Sequence, residues 1–268
     1  MPRRSKAKPR SRRRLRRALF TIAPTDAPKV SVIIPVVNER RTLGAVIREA
    51  AQVHPATEVI VVANGSTDGS AELAERMGAR VLRYPSPLGH DVGRSMGARA
   101  ARGEILIFTD GDIVVASRDL RALSAAVESG ADVALNAYLG PTGLKQVHGV
   151  VLAKHALNLM IDDPAATGAS MTTIPHAISR RALDIIGCDN LAVPPKAQAI
   201  AVCHGLQIRA PHYVEVGRRN RRRGRGKGSD PLERLIVGDH LEALAWYIGQ
   251  TGARGRMPDD GRSRESVC

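Results

Sequence analysis

Val30-Ser31-Val32-Ile33-Ile34-Pro35-Val36-Val37-Asn38-Glu39 decides the fold. Five residues, β-branched except for Ser31, read as a strand buried on both faces, as in a parallel sheet, and Pro35 is expected to end it. Leu43, Val46, Ile47, Ala50 and Val53 follow at helical spacing, which predicts an amphipathic helix over 42–54. Glu58 to Val62 reads as a second buried strand. It runs into Asn64-Gly65-Ser66-Thr67-Asp68-Gly69-Ser70, a turn rich in helix-capping residues.

The alternation continues. A short strand is expected over Arg80–Tyr84, then a helix over 91–102 whose Gly93, Gly97 and Ala101 let it lie close to a neighbour. Ile105–Thr109 reads as a strand ending in Asp110-Gly111-Asp112. A helix marked by Leu120, Leu123 and Val127 and a strand over Asp132–Asn136 follow. Strand and helix repeated in this way predict a doubly wound α/β sheet. The second half is less regular. Helices are expected over 144–161, 179–186, 195–204 and 231–248, a strand or loop over 169–174, and a strand over 206–216.

The chain has 268 residues and a net charge of +14, from 40 basic and 26 acidic residues. The excess is local. Ten basic residues fall within 1–20 and seven within 218–227, neither run containing an acid; elsewhere 23 basic residues face 26 acidic ones. The expected organisation is a disordered basic arm over 1–28 and an α/β domain over 29–216, in two halves, 29–136 and 137–216. A flexible basic loop over 217–230 and a C-terminal helix and tail over 231–268 complete it. No apolar run approaches the roughly 20 residues that span a bilayer. Scattered Cys188, Cys203 and Cys268 argue against a disulfide framework and make a reducing cytoplasm the default. Seven aromatic residues are too few for base-stacking recognition of single strands.

In open α/β sheets ligands bind beyond the carboxyl ends of the strands. Three clusters lie at such ends: Pro35 with Asn38 and Glu39, Asn64 with Gly65, and Asp110 with Asp112. Amide and carboxylate groups suit a base and a ribose. The paired carboxylates suit a hard divalent cation that keeps positions open for phosphate oxygens. Gly89, His90 and Arg94 add backbone amides and a cation for the same phosphates.

Taken together, Val30 to Glu39, Asn64 to Ser70 and Gly103-Glu104-Ile105-Leu106-Ile107-Phe108-Thr109-Asp110-Gly111-Asp112 resemble the family 2 glycosyltransferases of the GT-A fold. The likeness is strong over residues 30–135 and weakens towards 216. It implies a Rossmann-like, nucleotide-diphospho-sugar transferase fold with a mostly parallel sheet, a UDP- or GDP-sugar donor, and Mg2+ or Mn2+. By this resemblance Pro35, Asn38 and Glu39 contact the nucleoside, Asp110 lies near the ribose, and Asp112 is the main metal ligand. Asn64 stands where the family usually has an aspartate that reads the base. By the same resemblance residues 29–136 are the nucleotide-binding half and 137–216 the acceptor half, which carries Leu191-Ala192-Val193-Pro194-Pro195-Lys196 in place of the acidic pair that inverting members use as base. The turn over 64–69 also resembles retaining glucosyl-phosphoglycerate synthases, so the stereochemistry stays open.

His176, after Ser170-Met171-Thr172-Thr173-Ile174-Pro175, is a candidate catalytic group toward the acceptor hydroxyl; the competing expectation is a histidine capping the helix after it. His212 is the first candidate for a further metal ligand and His204 the second. The expected acceptor is lipid-linked or phosphorylated, and the basic runs make an acidic inner membrane face a candidate contact. Two other classes were weighed. A nucleic-acid-binding protein on an inactive scaffold is disfavoured by charge confined to the flanks and by few aromatics, so no specific nucleic acid is expected. A nucleotidyltransferase is disfavoured because Val36 to Glu39 lacks a glycine-rich loop.

Overall fold

A computed structural model describes residues 20–162, 167–217, 231–263 and 266. The Arg-rich run before residue 20, the run over 218–227, Asp163 and Cys268 lie outside the described residues.

The first half alternates as expected: β1 (Val30–Val36), α1 (Arg40–Ala50), β2 (Thr57–Asn64), α2 (Ser70–Arg76), β3 (Arg80–Tyr84), α3 (Val92–Ala100), β4 (Ile105–Phe108), α4 (Ser117–Glu128) and β5 (Val133–Asn136). The rest comprises α5 (Gly149–Met160), β6 (His176–Ser179), α6 (Arg180–Ile186), a 3-10 turn (Cys188–Ala192), α7 (Pro194–Cys203), β7 (Ile208–His212) and α8 (Pro231–Thr251).

The seven strands form one sheet in the order β3-β2-β1-β4-β6-β5-β7. Every pairing is parallel except those of β6, which runs antiparallel between β4 and β5. Strand order reverses between β1 and β4. That is the topological switch point, where the ends of two neighbouring strands open a crevice. Helices cover both faces. One core cluster gathers Leu43, Ile47, Leu120 and Leu123 under α1 and α4, and the other gathers Phe108, Leu183 and Ile200 under α3, α6 and α7.

Pro35 does not end β1. The strand runs on to Val36, paired with Ala63. The Ile33 carbonyl accepts from Thr109 on the β4 side, and alternate residues point the same way, so Pro35 turns its missing donor toward β4. β4 has already ended at Phe108, so no ladder bond is lost.

The glycines of α3 behave as the sequence suggests. A Cβ on Gly97 would lie 2.3 Å from Ile33 Cγ2, and one on Gly93 would lie 3.1 Å from Pro35 Cβ. α3 therefore rests directly on β1 and β2, and its N-terminus sits at the crevice.

The second half corrects several boundaries. Only 149–160 of the expected 144–161 helix is helical, and 169–174, expected as strand or loop, is loop and turns. β7 spans 208–212 of the expected 206–216. His176 caps no helix. It lies in β6 opposite Phe108, and Ser179 caps α6 by accepting from the Ala182 amide. β6 is four residues long, too short to show an alternating pattern.

Candidate functional site at the β1/β4 switch point

The ends of β2, β1 and β4 lie side by side, so the three sequence clusters converge. The loop after β1 is pinned to the loop after β2 by reciprocal bonds. Asn38, in the left-handed region at φ 56°, accepts from the Thr67 amide at 2.8 Å, and its own amide donates to Ser66 Oγ at 3.2 Å. The Glu39 and Arg40 amides donate to Ser70 Oγ and Asp68 Oδ2 at 3.1 and 3.0 Å. Thr42 Oγ1 then donates to the Gly111 carbonyl at 2.7 Å and ties α1 to the Asp110-Gly111-Asp112 turn.

Asn64 is buried and its amide is committed to the next loop. Its Oδ1 accepts from the Leu88 amide, and its Nδ2 donates to the Gly89 carbonyl at 3.1 Å. The residue expected to read the base instead holds the loop that leads into α3. Gly65, at φ 69°, lies against Pro87, where a Cβ would be 2.9 Å from the ring. The loop surface stays flat for want of a side chain.

Behind these loops lies a buried charged group. Arg94 is 4% exposed; its Nη1 lies 3.2 Å from Asp91 Oδ1 and its Nη2 3.5 Å from Asp110 Oδ1. Burial works against the Arg94 charge, but the Asp91 and Asp110 carboxylates outweigh it. Burial pushes the Asp91 carboxyl up, while Arg94 and then His90, whose Nε2 is 3.3 Å from Asp91 Oδ2, pull it down. Arg94 Nη1 makes no hydrogen bond despite its closeness to Asp91. A buried guanidinium donor left over beside two aspartates fits a ligand bearing phosphate oxygens. Asp110 and Asp112 supply hard oxygen donors for a divalent cation at the same edge. Among the described residues no third histidine, cysteine or acidic side chain joins them as a metal-binding group.

The two expected histidines are placed differently, His212 away from the aspartates and His176 behind the end of β4. His212 ends β7, three strand positions from β4, and its Nε2 is 2.9 Å from Asp119 Oδ1. Strands are spaced at about 4.8 Å, which puts β7 on the order of 14 Å from the aspartates. His176 is 1% exposed and stacks on Phe108 with ring centroids 4.9 Å apart. Burial, reinforced by Arg94, lowers its pKa to about 3. It stays neutral at working pH, with Nδ1 3.3 Å from the Thr173 carbonyl. Such a ring is a poor general base near neutrality. Asp189 is taken up by Arg99 on the surface.

Three groups escaped the sequence reading. The Asp239 carboxyl of α8 is pushed up to about 6 by burial and then by the Asp91 charge. Lys154 of α5 is 3% exposed and its Nζ donates to Thr173 Oγ1 at 2.8 Å and to the Tyr138 carbonyl at 3.2 Å. His240 of α8 is 2% exposed and its Nε2 has no hydrogen-bond partner among the described residues. Lys154 was visible in principle, standing three residues from Val151 and from Leu157 on the buried stripe of α5.

Burial lowers the Lys154 pKa to about 8. The unfolded lysine holds its proton more tightly, so stability attributable to this site rises with pH above about 8. Lys154→Met is expected to leave the fold unchanged or more stable by about 1–3 kcal/mol near neutrality, as for other buried charges replaced by apolar groups of similar volume. Urea unfolding from about pH 7 to about 9 should show the wild type gaining on the variant. A variant much less stable at every pH would contradict this account.

Residues 31–146 match the sequence model of glycosyl transferase family 2. An uncharacterised glycosyltransferase of Mycobacterium tuberculosis is 36% identical over 104 residues, which is 39% of this chain and 46% of that protein. Polyprenol monophosphomannose synthase of Mycolicibacterium smegmatis is 31% identical over 134 residues, 46% of this chain and 49% of that protein. The chain therefore spans about half the length of these relatives. Among solved structures, glucosyl-3-phosphoglycerate synthase from Mycobacterium tuberculosis, in complex with Mn2+, UDP-glucose and phosphoglyceric acid, superposes with a TM-score of 0.60. It is 19% identical, and the match covers 81% of this chain and 80% of that one. At that identity the likeness shows the fold, which is GT-A.

Proposed function

We propose that this chain, which carries the glycosyl transferase family 2 match over residues 31–146, transfers a sugar from a nucleoside diphosphate to an acceptor. The supporting observation is the convergence at one switch point of Asp110, Asp112 and the buried Arg94 with a spare N–H. Asp112 and Asp110 are the residues that would hold Mg2+ or Mn2+, and a divalent cation there offsets charge on a leaving diphosphate. The linked loops 36–40 and 64–70 form the nucleoside wall. Arg94, held by Asp91 and Asp110, places a buried positive charge behind the phosphates, with the Gly89 backbone and the N-terminus of α3 beside it. Because both amide atoms of Asn64 and the Oδ1 of Asn38 are taken by loop bonds, base identity is read chiefly through loop shape and backbone. A UDP-sugar is the favoured donor, since the structural neighbour binds one. His176 acts as a fixed, neutral support behind the acceptor loop.

The test is a screen of nucleotide sugars with Mn2+ for slow hydrolysis, with the released anomer read by NMR. One donor should be consumed, with its anomer fixing the stereochemistry, and Mn2+ removal should stop turnover. Hydrolysis of none, with the protein folded, would sink the reading.

The acceptor is proposed to be phosphorylated or lipid-linked, and the protein to work at an acidic membrane surface. No helix among the described residues is long and apolar enough to cross a membrane. α5 and α8 nevertheless expose Leu152, Leu159, Leu241 and Ile248 at 45–75%. The Arg218–Lys227 run precedes α8 directly, and each basic residue near an anionic leaflet is worth about 1 kcal/mol. Co-sedimentation with phosphatidylglycerol-containing vesicles is expected, with loss in high salt. Equal binding to pure phosphatidylcholine would remove the electrostatic part of this proposal.

A further inference from the structure

α5 and α8 begin side by side: the Gly149 amide donates to Glu233 Oε1 at 2.8 Å, and His148 Nε2 lies 3.6 Å from Glu233 Oε2. Further along, Leu157 and Ile161 pack in one cluster with Ala243 and Tyr247. The two helices therefore run parallel. Ile236, His240, Ala243 and Tyr247 are all buried and form a stripe at helical spacing along α8. Lys154 lies one turn before Leu157, and His240 one turn before Ala243, so the two stand at the same level of the seam.

Both are chemically unfinished. Lys154 sits in the interior with two neutral acceptors, Thr173 Oγ1 and the Tyr138 carbonyl, which use two of its three N–H groups. Among the described residues no carboxylate faces it. A buried cation without a counter-charge is costly. His240 Nδ1 is occupied by the Ile236 carbonyl at 2.7 Å, and its Nε2 is orphaned at 2% exposure. Burial, and to a lesser degree the charge of Lys154, disfavours a proton on this imidazole, against the Ile236 carbonyl that favours one. A doubly charged anion between them would change both terms, pairing with the ammonium and drawing a proton onto Nε2. Thr173 belongs to the turn over 170–174, and its carbonyl also meets His176, so Lys154 is linked through Thr173 to the expected acceptor loop.

We propose that Lys154 and His240, with Thr173, form the binding site for a phosphate group of the acceptor. This deepens the transferase reading and rests on it, since it takes the molecule bound there to be the sugar acceptor. Phosphate is preferred to a carboxylate because its second negative charge answers a protonated His240 as well as the Lys154 ammonium. The ammonium acts as a point charge, as lysines do in other phosphate sites.

Two measurements on the full chain test it, both in EDTA and without nucleotide. Millimolar inorganic phosphate is compared with chloride at equal ionic strength, reading the melting temperature of wild type and Lys154→Met. A rise in the wild type that is absent in the variant is expected; no rise, or the same rise in both, overturns the proposal. Should the variant fail to fold, acetic anhydride labelling of the wild type, read by mass spectrometry, replaces it. Phosphate should slow acetylation of Lys154 several-fold while leaving surface lysines such as Lys145 unchanged, and unchanged Lys154 labelling overturns the site. Repeating the labelling with phosphatidate vesicles, against phosphatidylglycerol vesicles, separates the sources. Extra protection by phosphatidate assigns the phosphate to a lipid headgroup, and protection by free phosphate alone assigns it to a soluble acceptor; either supports the site. Binding of UDP with Mn2+ is measured on the same preparations, so a lost donor site and a lost phosphate site read as separate failures.

Discussion

Arg94→Met is expected to cost about 3–5 kcal/mol of stability, the usual penalty for removing one partner of a buried ion pair. For a chain of this size that lowers the melting temperature by roughly 10 °C. The cost arises at Asp91. Its carboxylate is 8% exposed, in a left-handed backbone conformation at φ 60°, and Arg94 is its principal counter-charge. Without Arg94 it stays charged in a poor environment or takes up a proton. Asp91→Asn in the Arg94→Met background should therefore recover much of the loss, because the amide needs no counter-charge. The repaired double variant isolates function from folding. It should bind a nucleoside diphosphate far more weakly than the wild type, having lost the spare guanidinium donor. A double variant that is both stable and unchanged in diphosphate affinity would place Arg94 in the scaffold alone.

Asp112→Ala acts in the opposite sense. Asp112 is only partly buried, in a turn after β4, so the fold should change little. Turnover of the donor should fall about 10³-fold or more, since stabilising a leaving diphosphate through a cation is worth several kcal/mol. Mn2+ should no longer tighten UDP binding. Asp110→Asn should do less to metal binding and also loosen Arg94, whose Nη2 lies 3.5 Å from Asp110 Oδ1. Steady-state rates with varied Mn2+ separate the two.

Much of this was legible from residues 30–136. β1 and β2 are mainly β-branched apolar runs, and β1, β2 and β4 each end in a polar cluster, so buried core and ligand edge separate cleanly along the chain. Gly93 and Gly97 announced the close approach of α3, which the contact with Ile33 bears out. Pro35 misled because a proline stops a strand only where its missing donor faces a neighbour, and which side that is depends on where β4 ends. β6 was hidden by its four-residue length. His176 was drawn toward catalysis by its neighbours in sequence, whereas the sheet buries it against Phe108. His212 looked available because nothing local shows that Asp119, on α4, would meet it. The Lys154–His240 seam and the approach of Asp239 to Asp91 arise from the docking of α8, far along the chain from the residues it meets. No local pattern encodes such contacts.

The most direct measurement is calorimetric titration of UDP into the full-length protein with and without Mn2+, for wild type and Asp112→Ala. Binding that requires both the metal and Asp112 is the predicted result. If UDP, GDP and ADP all fail to bind wild type in Mn2+, or if UDP binds equally well without metal and in Asp112→Ala, the convergence at the β1/β4 switch point is not a metal-dependent nucleotide-sugar site.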